Sequence, residues 1–224
     1  MQVNAHEGAD PRHARLITMG ARVGLDLTDA DASRLLAYVD LLQRWNGTYN
    51  LTAVRDPGLM LTQHLADCLS VVLPFRRHLA SVTSSARVLD VGSGGGLPGV
   101  VLAVLNPGVQ VTCVDAVGKK AAFVQQAAMQ LKLANLRSVH ARVEALKGAP
   151  FHLITSRAFS SLADLVRLSR DHLLPEGVWL AMKGRRPDAE IDELPSDIEV
   201  FHVEHIDVPD LAAERCLVWM RRSL

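Results

Sequence analysis

The stretch that decides the fold is Val88-Leu89-Asp90-Val91-Gly92-Ser93-Gly94-Gly95-Gly96-Leu97-Pro98-Gly99. An apolar run enters a turn with four glycines in five positions, and a proline follows. Glycine lets the backbone approach a ligand closely, and proline suits the first turn of a helix. The stretch therefore predicts a first strand, a ligand-binding loop and a helix from Pro98, with the ligand at the carboxyl end of the strand.

Short apolar runs alternate with helical segments on both sides of this loop. Helices are expected over Gly118–Leu133 and Leu162–Leu173, between strands at Arg87–Val91, Val109–Asp115, Leu136–His140, Phe151–Thr155 and Val178–Lys183. Such alternation predicts a parallel sheet covered by helices. The last two runs, Ile198–Val208 and Arg215–Arg221, are too close for a crossover helix and should pair antiparallel. We expect an α/β fold with a mostly parallel seven-stranded sheet and a C-terminal hairpin.

The residues before this sheet carry helical patterning. Apolar side chains recur at three- and four-residue steps at Leu35, Leu36, Val39, Leu42 and Trp45, as one buried helix face requires. Thr28 or Asp29 can cap this helix and Asn46-Gly47 can end it. A second helix is expected over Leu59–Leu73, before Pro74. We predict an N-terminal helical extension over residues 1–84, beginning with a loose polar lead-in, packed on a domain over residues 85–224.

The end of the second strand carries an acid that suits a nucleoside. Asp115 follows Gly92 by 23 residues, where a carboxylate can accept hydrogen bonds from both ribose hydroxyls. The loop also fits a dinucleotide, because Gly94-x-Gly96-x-x-Gly99 satisfies the Rossmann spacing.

Three features favour S-adenosylmethionine over a dinucleotide. Asp90 places a negative charge where a sulfonium and an amino group suit it better than a pyrophosphate. Pro98 removes an N–H donor from the phosphate turn, and the chain lacks a second nucleotide-binding half. The pattern therefore predicts a Rossmann-like class I S-adenosylmethionine methyltransferase.

The charges are segregated although their sum is zero. From Lys119 to Arg157 there are seven Lys or Arg and one acid, and Lys183, Arg185 and Arg186 add a basic cluster. Residues 188–214 hold ten acids and no Lys or Arg. The basic part could attract phosphates, or its charges could be spread over solvated helix faces.

Composition excludes several classes of protein. No run approaches eighteen consecutive apolar residues, so a membrane span is not expected. The three cysteines are far apart and lack metal-ligand spacing. They are expected to be buried thiols in a reducing cytoplasm, with no metal.

The sequence resembles the bacterial small-subunit ribosomal RNA guanine-N7 methyltransferases, the glucose-inhibited division protein B family, over about Leu36 to Lys183. The matching motifs are Trp45-Asn46, Asn50-Leu51-Thr52, Val54-Arg55-Asp56-Pro57, His64 with Asp67, the glycine loop, Asp115 with Gly118-Lys119-Lys120, Arg142-Val143-Glu144, Ser156-Arg157-Ala158-Phe159 and Lys183-Gly184. Gln63 departs from the family's arginine and puts a phosphate contact there in doubt, whereas Cys68 and Ala116 are mild departures from serine.

The resemblance implies a cytoplasmic enzyme that methylates N7 of one guanine in a loop of 16S rRNA near the decoding centre. It also implies that five residues contact S-adenosylmethionine, namely Gly92, Leu97, Val143, Glu144 and Arg157. The substrate partner would be 16S rRNA or the small ribosomal subunit.

The candidate site residues combine both lines of reasoning. The predicted cofactor-binding residues are Gly92, Gly94, Gly96, Leu97, Asp115, Val143, Glu144 and Arg157, and the predicted RNA-contacting residues are Asn46, Asn50, His64, Arg142 and Lys183. Each has a structural alternative. The asparagines suit turns, the histidine suits a helix interior, Glu144 suits a helix start, and the cations suit exposed strand ends. Trp45 and Trp179 are expected in the core.

The predicted chemistry requires no catalytic proton acceptor. Guanine N7 carries a lone pair and no proton, so the enzyme's main task is alignment of the two reactants. Three other functions stay open at this point: methylation of a small molecule or protein, nicotinamide-dependent oxidoreduction, and RNA binding without catalysis by an assembly factor.

Overall fold

The computed structural model describes residues 10–80, 82 and 85–223, and shows the expected seven-stranded sheet. Its strands are β1 (Arg87–Val91), β2 (Gln110–Asp115), β3 (Leu136–His140), β4 (Phe151–Arg157), β5 (Leu173–Lys183), β6 (Ile198–His205) and β7 (Cys216–Arg222). Their order is β3-β2-β1-β4-β5-β7-β6. The first five strands pair in parallel, and β7 pairs antiparallel with β5 and β6. The expected fold class is confirmed.

Helices lie between the strands at α5 (Gly99–Leu105), α6 (Gly118–Gln130), α7 (Leu162–Ser169) and α8 (Asp188–Asp192). The helix expected up to Leu173 ends at Ser169, because a short 3₁₀ turn leads into β5 at Leu173. Strand β5 therefore begins five residues before the expected Val178.

The N-terminal part forms α1 (Pro11–Arg22) and α2 (Asp29–Tyr49). Thr28 caps α2 and forms a reciprocal capping box with Asp31. The prediction that α2 ends at Asn46-Gly47 is wrong. The helix continues to Tyr49 and ends where Asn50 takes a left-handed conformation, with φ 49°. The predicted polar lead-in falls largely on residues 1–9, outside the described residues.

One helical run covers Pro57–Leu79 and consists of α3 (Pro57–Met60), a π-helical turn (Leu61–Ala66) and α4 (Asp67–Leu79). The predicted stop before Pro74 is wrong, because the proline lies inside α4. The buried side chains Phe75 and Leu79 continue the apolar face beyond it. Their burial offsets the backbone hydrogen bond that a proline removes. By length and composition the run could cross a membrane, but 78% of its apolar window is buried inside the protein.

Two apolar clusters cover the two faces of the sheet. The larger joins α2 and α4 to α5 and α6, and includes the fully buried Tyr38, Phe75 and Phe123. The smaller contains Trp179, whose indole N–H donates to Ser169 Oγ at 2.9 Å. Trp179 is therefore a core residue as expected, while Trp45 is only half-buried. All three cysteines are free and buried, as predicted.

Candidate active site

The loop between β1 and α5 is built on glycines in the left-handed region. Gly92, Gly94 and Gly96 have φ of 63°, 58° and 86°, which side chains rarely adopt. A Cβ on Gly92 would lie 2.5 Å from Cδ2 of Phe159. A side chain at position 92 would therefore collide with the Phe159 ring, which packs directly on the loop.

Asp115 holds this loop at the end of β2. Its Oδ2 accepts the Gly94 N–H at 2.9 Å, and its Oδ1 accepts the Val117 N–H at 2.8 Å. The side chain is buried. An ionised carboxylate has about four acceptor positions, so each oxygen keeps capacity for a further hydrogen bond.

A small cavity of about 130 Å³ opens beside Asp115. Its walls are mostly apolar, and it is lined by Val91, Gly92, Val114, Asp115, Ala116, Ala141, Arg142, Val143, Glu144, Phe159 and Leu168. The cavity thus brings together four predicted cofactor residues, Gly92, Asp115, Val143 and Glu144. Glu144 itself is exposed in a short 3₁₀ turn.

A larger cavity of about 580 Å³ also touches Gly92. Its lining includes Gly94, Leu97 and Arg157, three more of the predicted cofactor residues. Gly96, by contrast, lines neither cavity and packs against α5 and α6, because a Cβ there would lie 2.7 Å from Val100 and 3.0 Å from Val124. The two cavities share only Gly92 among their lining residues.

The larger cavity is rich in positive charge. Its charged lining residues are Lys120, Arg157, Lys183, Arg215 and a single carboxylate, Asp67. Lys183 forms an ion pair with Glu190 at 2.8 Å, outside the lining. The cavity thus gathers cations from three strands' ends and from the start of α6.

Arg157 is not an exposed strand-end charge. From the end of β4 it reaches the π-helical run, where Nη1 donates to the Gln63 carbonyl at 2.9 Å and to Asp67 Oδ2 at 3.0 Å. Its side chain is 20% exposed. The contacts fix the guanidinium at the wall of the larger cavity.

His64 is buried beside this arginine. Its Nε2 lies 2.9 Å from Thr52 Oγ1 and its Nδ1 lies 3.5 Å from Arg157 Nη2. Burial, with the nearby Arg157 charge, lowers the pKa of His64 to about 4. A neutral imidazole with both nitrogens in contact supports the structural alternative, although the residue does line the larger cavity.

The two asparagines predicted to contact RNA line neither cavity. Asn46 is buried, where its Oδ1 accepts the Thr52 N–H at 2.9 Å and its Nδ2 donates to the Val54 carbonyl at 3.3 Å. Its amide shapes the loop after α2, which favours the structural alternative for this residue. Asn50 is exposed and accepts from Arg55 at 3.3 Å. Arg142 is exposed at the small cavity.

Asp90 does not face either cavity, contrary to the expectation that it meets the cofactor's positive charge. It is fully buried, and its Oδ2 accepts the Gly99 N–H at 2.8 Å, which joins β1 to α5. Its Oδ1 has no partner among the described residues. Burial raises the pKa of Asp90 to about 7.

The raised pKa predicts how Asp90→Asn changes stability with pH. The ordinary pKa of an aspartate is 3.8, whereas the pKa of Asp90 in the folded protein is about 7. Between these two pH values the folded protein keeps a proton on Asp90 that the unfolded chain has released. The stabilising contribution of Asp90 is therefore complete below pH 4 and is lost as the pH rises to 7. As the pH rises from about 4 to about 7, the free energy of unfolding of Asp90→Asn should therefore increase relative to the wild type by on the order of 4 kcal/mol, at about 1.4 kcal/mol per pKa unit.

Urea unfolding of both proteins at the two ends of the window measures this difference. A free-energy difference that stays constant with pH would show that Asp90 is ionised in the folded protein.

Several residues at the cavities escaped the sequence reasoning. Phe159 and Asp67 belonged to recognised motifs, but nothing in the pattern gave them a role. Tyr38, which donates its hydroxyl hydrogen to the Gly95 carbonyl at 2.6 Å, was not among the residues predicted for the buried face of its helix. Arg215 was predicted only as the first residue of the last strand. In the described part of the chain no group of three His, Cys, Asp or Glu could hold a metal ion.

The strand order, the glycine loop after β1 and the acid at the end of β2 define a class I S-adenosylmethionine-dependent methyltransferase. The fold resembles that of magnesium protoporphyrin IX methyltransferase from Synechocystis, with a TM-score of 0.58 at 12% identity, over 82% of this chain and 97% of that one. It also resembles TrmN from Thermus thermophilus, with a TM-score of 0.55 at 20% identity, over 69% and 48% of the two chains.

The chain belongs to the GidB family, rRNA small subunit methyltransferase G, whose model matches residues 31–218. It is 56% identical over 211 residues to the ribosomal RNA small subunit methyltransferase G of Leptothrix cholodnii, across 94% of this chain and 96% of that protein. It is 57% identical over 205 residues to the protein of the same name from Acidovorax ebreus, across 89% and 90% of the chains. The chain is therefore an S-adenosylmethionine-dependent rRNA methyltransferase.

Proposed function

We propose that the chain transfers the methyl group of S-adenosylmethionine to N7 of a guanine in 16S rRNA, in the cytoplasm. The observation that carries this proposal is the cation-lined cavity of about 580 Å³ that opens directly on the glycine loop. Four cations and one carboxylate line this cavity, and such a lining would attract the phosphates of an RNA strand more strongly than a neutral small molecule. The same proposal treats residues 1–84 as an extension that packs on the domain over residues 85–224.

The residues of the small cavity fit the adenosyl part of the cofactor. The apolar side chains of Val143 and Leu168 suit the faces of a flat base, and Asp115 keeps acceptor capacity for two ribose hydroxyls. Gly92 lines both cavities, so the remainder of the cofactor would pass this residue into the larger cavity. There Gly94 and Leu97 are available to the methionine part, and Arg157 to its carboxylate.

The bound cofactor supplies a methyl group on a positively charged sulfur. Guanine N7 offers a lone pair and loses no proton, so the chain needs no proton acceptor. The neutral, buried His64 agrees with this, because an imidazole with a pKa of about 4 is a weak base. The chain's task is to hold the guanine near attack distance, which can lower a barrier by about 7 to 11 kcal/mol.

RNA would approach over the cations at the cavity mouths. We propose that Arg142 lies along the RNA at the small cavity and Lys183 at the larger one, while the buried His64 forms part of the larger cavity's wall. Asn50 stays a proposed contact through its exposed position after α2. Because the groove of paired RNA that carries N7 is deep and narrow, the target guanine should be unpaired or flipped out.

Purified protein should transfer a labelled methyl group from S-adenosylmethionine to 16S rRNA isolated from cells that lack this methyl group. Strand cleavage directed at N7-methylguanine should then map the label to one guanine. Naked rRNA and 30S subunits tested in parallel identify the preferred form of the substrate.

The matched control is 16S rRNA from wild-type cells, which should accept no label because its site is already methylated. Label in the control, label away from N7, or no label in either form of the RNA would contradict the proposal. Transfer to a small molecule or protein without RNA, and without sensitivity to salt, would favour the alternative methyltransferase function.

A further inference from the structure

Asp67 bridges two arginines that come from separate parts of the sheet. Its Oδ2 accepts from Nη1 of Arg157 at 3.0 Å, and its Oδ1 accepts from Nε of Arg215 at 2.8 Å. Arg157 ends β4, Arg215 directly precedes β7, and Asp67 begins α4 in the N-terminal half of the chain. The carboxylate is 4% exposed, whereas the two guanidinium side chains are 20% and 25% exposed.

The cluster keeps a surplus positive charge at the wall of the larger cavity. Two guanidinium groups share one carboxylate, so one positive charge is not balanced within the cluster. Arg215 uses Nε for Asp67 and Nη1 for the Glu214 carbonyl at 2.8 Å. Its Nη2 has no acceptor among the described residues, and the residue lines the cavity.

We infer that Arg215 binds a phosphate of the rRNA strand and that Asp67 is the positioning residue that holds it in place. The inference rests on the proposed function, because it needs RNA in the larger cavity. With Nε and Nη1 engaged, Nη2 remains to donate a charge-assisted hydrogen bond to a phosphate oxygen. Asp67 restricts Arg215 through Nε before the RNA arrives, so less side-chain freedom is lost on binding.

Arg215→Gln should weaken the binding of unmethylated 16S rRNA about tenfold at moderate salt, since a charged contact is lost. Each phosphate contact adds about 0.7 to 0.9 to the slope of log affinity against log salt, so this slope should become shallower by that amount. Arg215→Lys keeps the charge and should keep the wild-type slope. Calorimetry should find S-adenosylmethionine affinity within about twofold of wild type, because phosphate contacts concern only the RNA.

Asp67→Asn tests the positioning role. In the Asp67→Asn protein, the further change Arg215→Gln should weaken RNA binding about threefold or less, because coupled residues do not act additively. The matched control is Asp210→Asn, since Asp210 also bridges two arginines, Arg15 and Arg22, but lies outside the larger cavity. The control should keep the RNA affinity and the slope of the wild type.

A wild-type slope in Arg215→Gln would overturn the phosphate contact. An undiminished effect of Arg215→Gln in the Asp67→Asn protein would overturn the positioning role. Binding curves are read only from variants whose thermal melting shows a folded protein, and Arg215→Met removes the charge in its place if Arg215→Gln does not fold. Because RNA binding and methyl transfer are measured separately, failure of the wild type to methylate 16S rRNA would refute the proposed function alone.

Discussion

Asp115→Asn is expected to lower the affinity for S-adenosylmethionine by about 100-fold, which corresponds to about 2.7 kcal/mol. In the wild type both carboxylate oxygens accept backbone N–H groups, from Gly94 and from Val117. An amide would turn one of these acceptors into a donor that faces another donor. Hydrogen bonds to charged groups contribute about 1.5 to 3 kcal/mol each, and the ribose would lose one as well. Calorimetric titration measures the loss.

Asp31→Asn is the matched control for this substitution. Asp31 accepts a hydrogen bond from the Thr28 N–H in the capping box of α2, at 3.3 Å, and lines neither cavity. Its loss should cost about 1 kcal/mol of stability or less, with cofactor affinity unchanged. Tight cofactor binding by a folded Asp115→Asn protein would remove Asp115 from the proposed site.

Gly92→Ala is expected to abolish measurable cofactor binding in the concentration range where the wild type saturates. The added Cβ would lie 2.5 Å from Phe159, and φ is 63° at this position. The left-handed conformation alone costs a residue with a side chain about 1 to 2 kcal/mol. Either the loop or the Phe159 ring must therefore move; the loop lines both cavities and Phe159 lines the smaller one. The effect should appear in calorimetry and in a lost shift of melting temperature on addition of S-adenosylmethionine.

Gly47→Ala provides the comparison within the same chain. Gly47 lies inside α2, and a Cβ there meets nothing within 4 Å. Alanine should stabilise the helix by about 0.5 to 1 kcal/mol and leave cofactor binding intact. If Gly92→Ala bound the cofactor as Gly47→Ala does, the loop would not be the binding element.

The sheet could be predicted from the sequence because its strands are short apolar runs with clear turns between them. Only Pro209–Glu214 separate the last two runs, which is too short for a crossover helix and therefore predicted an antiparallel pair. Strands β6 and β7 form this pair. The loop after β1 could also be predicted, because backbone positions with positive φ favour glycine and the sequence shows four glycines there. Both the strands and the loop depend on residues that are close together in the sequence, so a single sequence is enough to predict them.

The details that failed depend on packing between distant residues. Pro74 is a stop signal by itself, yet the buried face of α4 continues through it. Asn46 was predicted to end its helix, but its partners Thr52 and Val54 are brought to it by the loop that follows the last turn of α2. Asp67 meets Arg215 across 148 positions, a separation at which no pattern in a single sequence shows a contact.

The hydrogen bond from Tyr38 to the Gly95 carbonyl has a consequence for how the chain can be shortened. The hydroxyl of Tyr38, in the middle of α2, holds the backbone of the glycine loop at Gly95, and the Tyr38 ring belongs to the larger apolar cluster. Deleting the leading helices would thus remove a hydrogen bond that holds the glycine loop where it lines the larger cavity. We therefore expect the N-terminal helices and the sheet to unfold together in one cooperative transition.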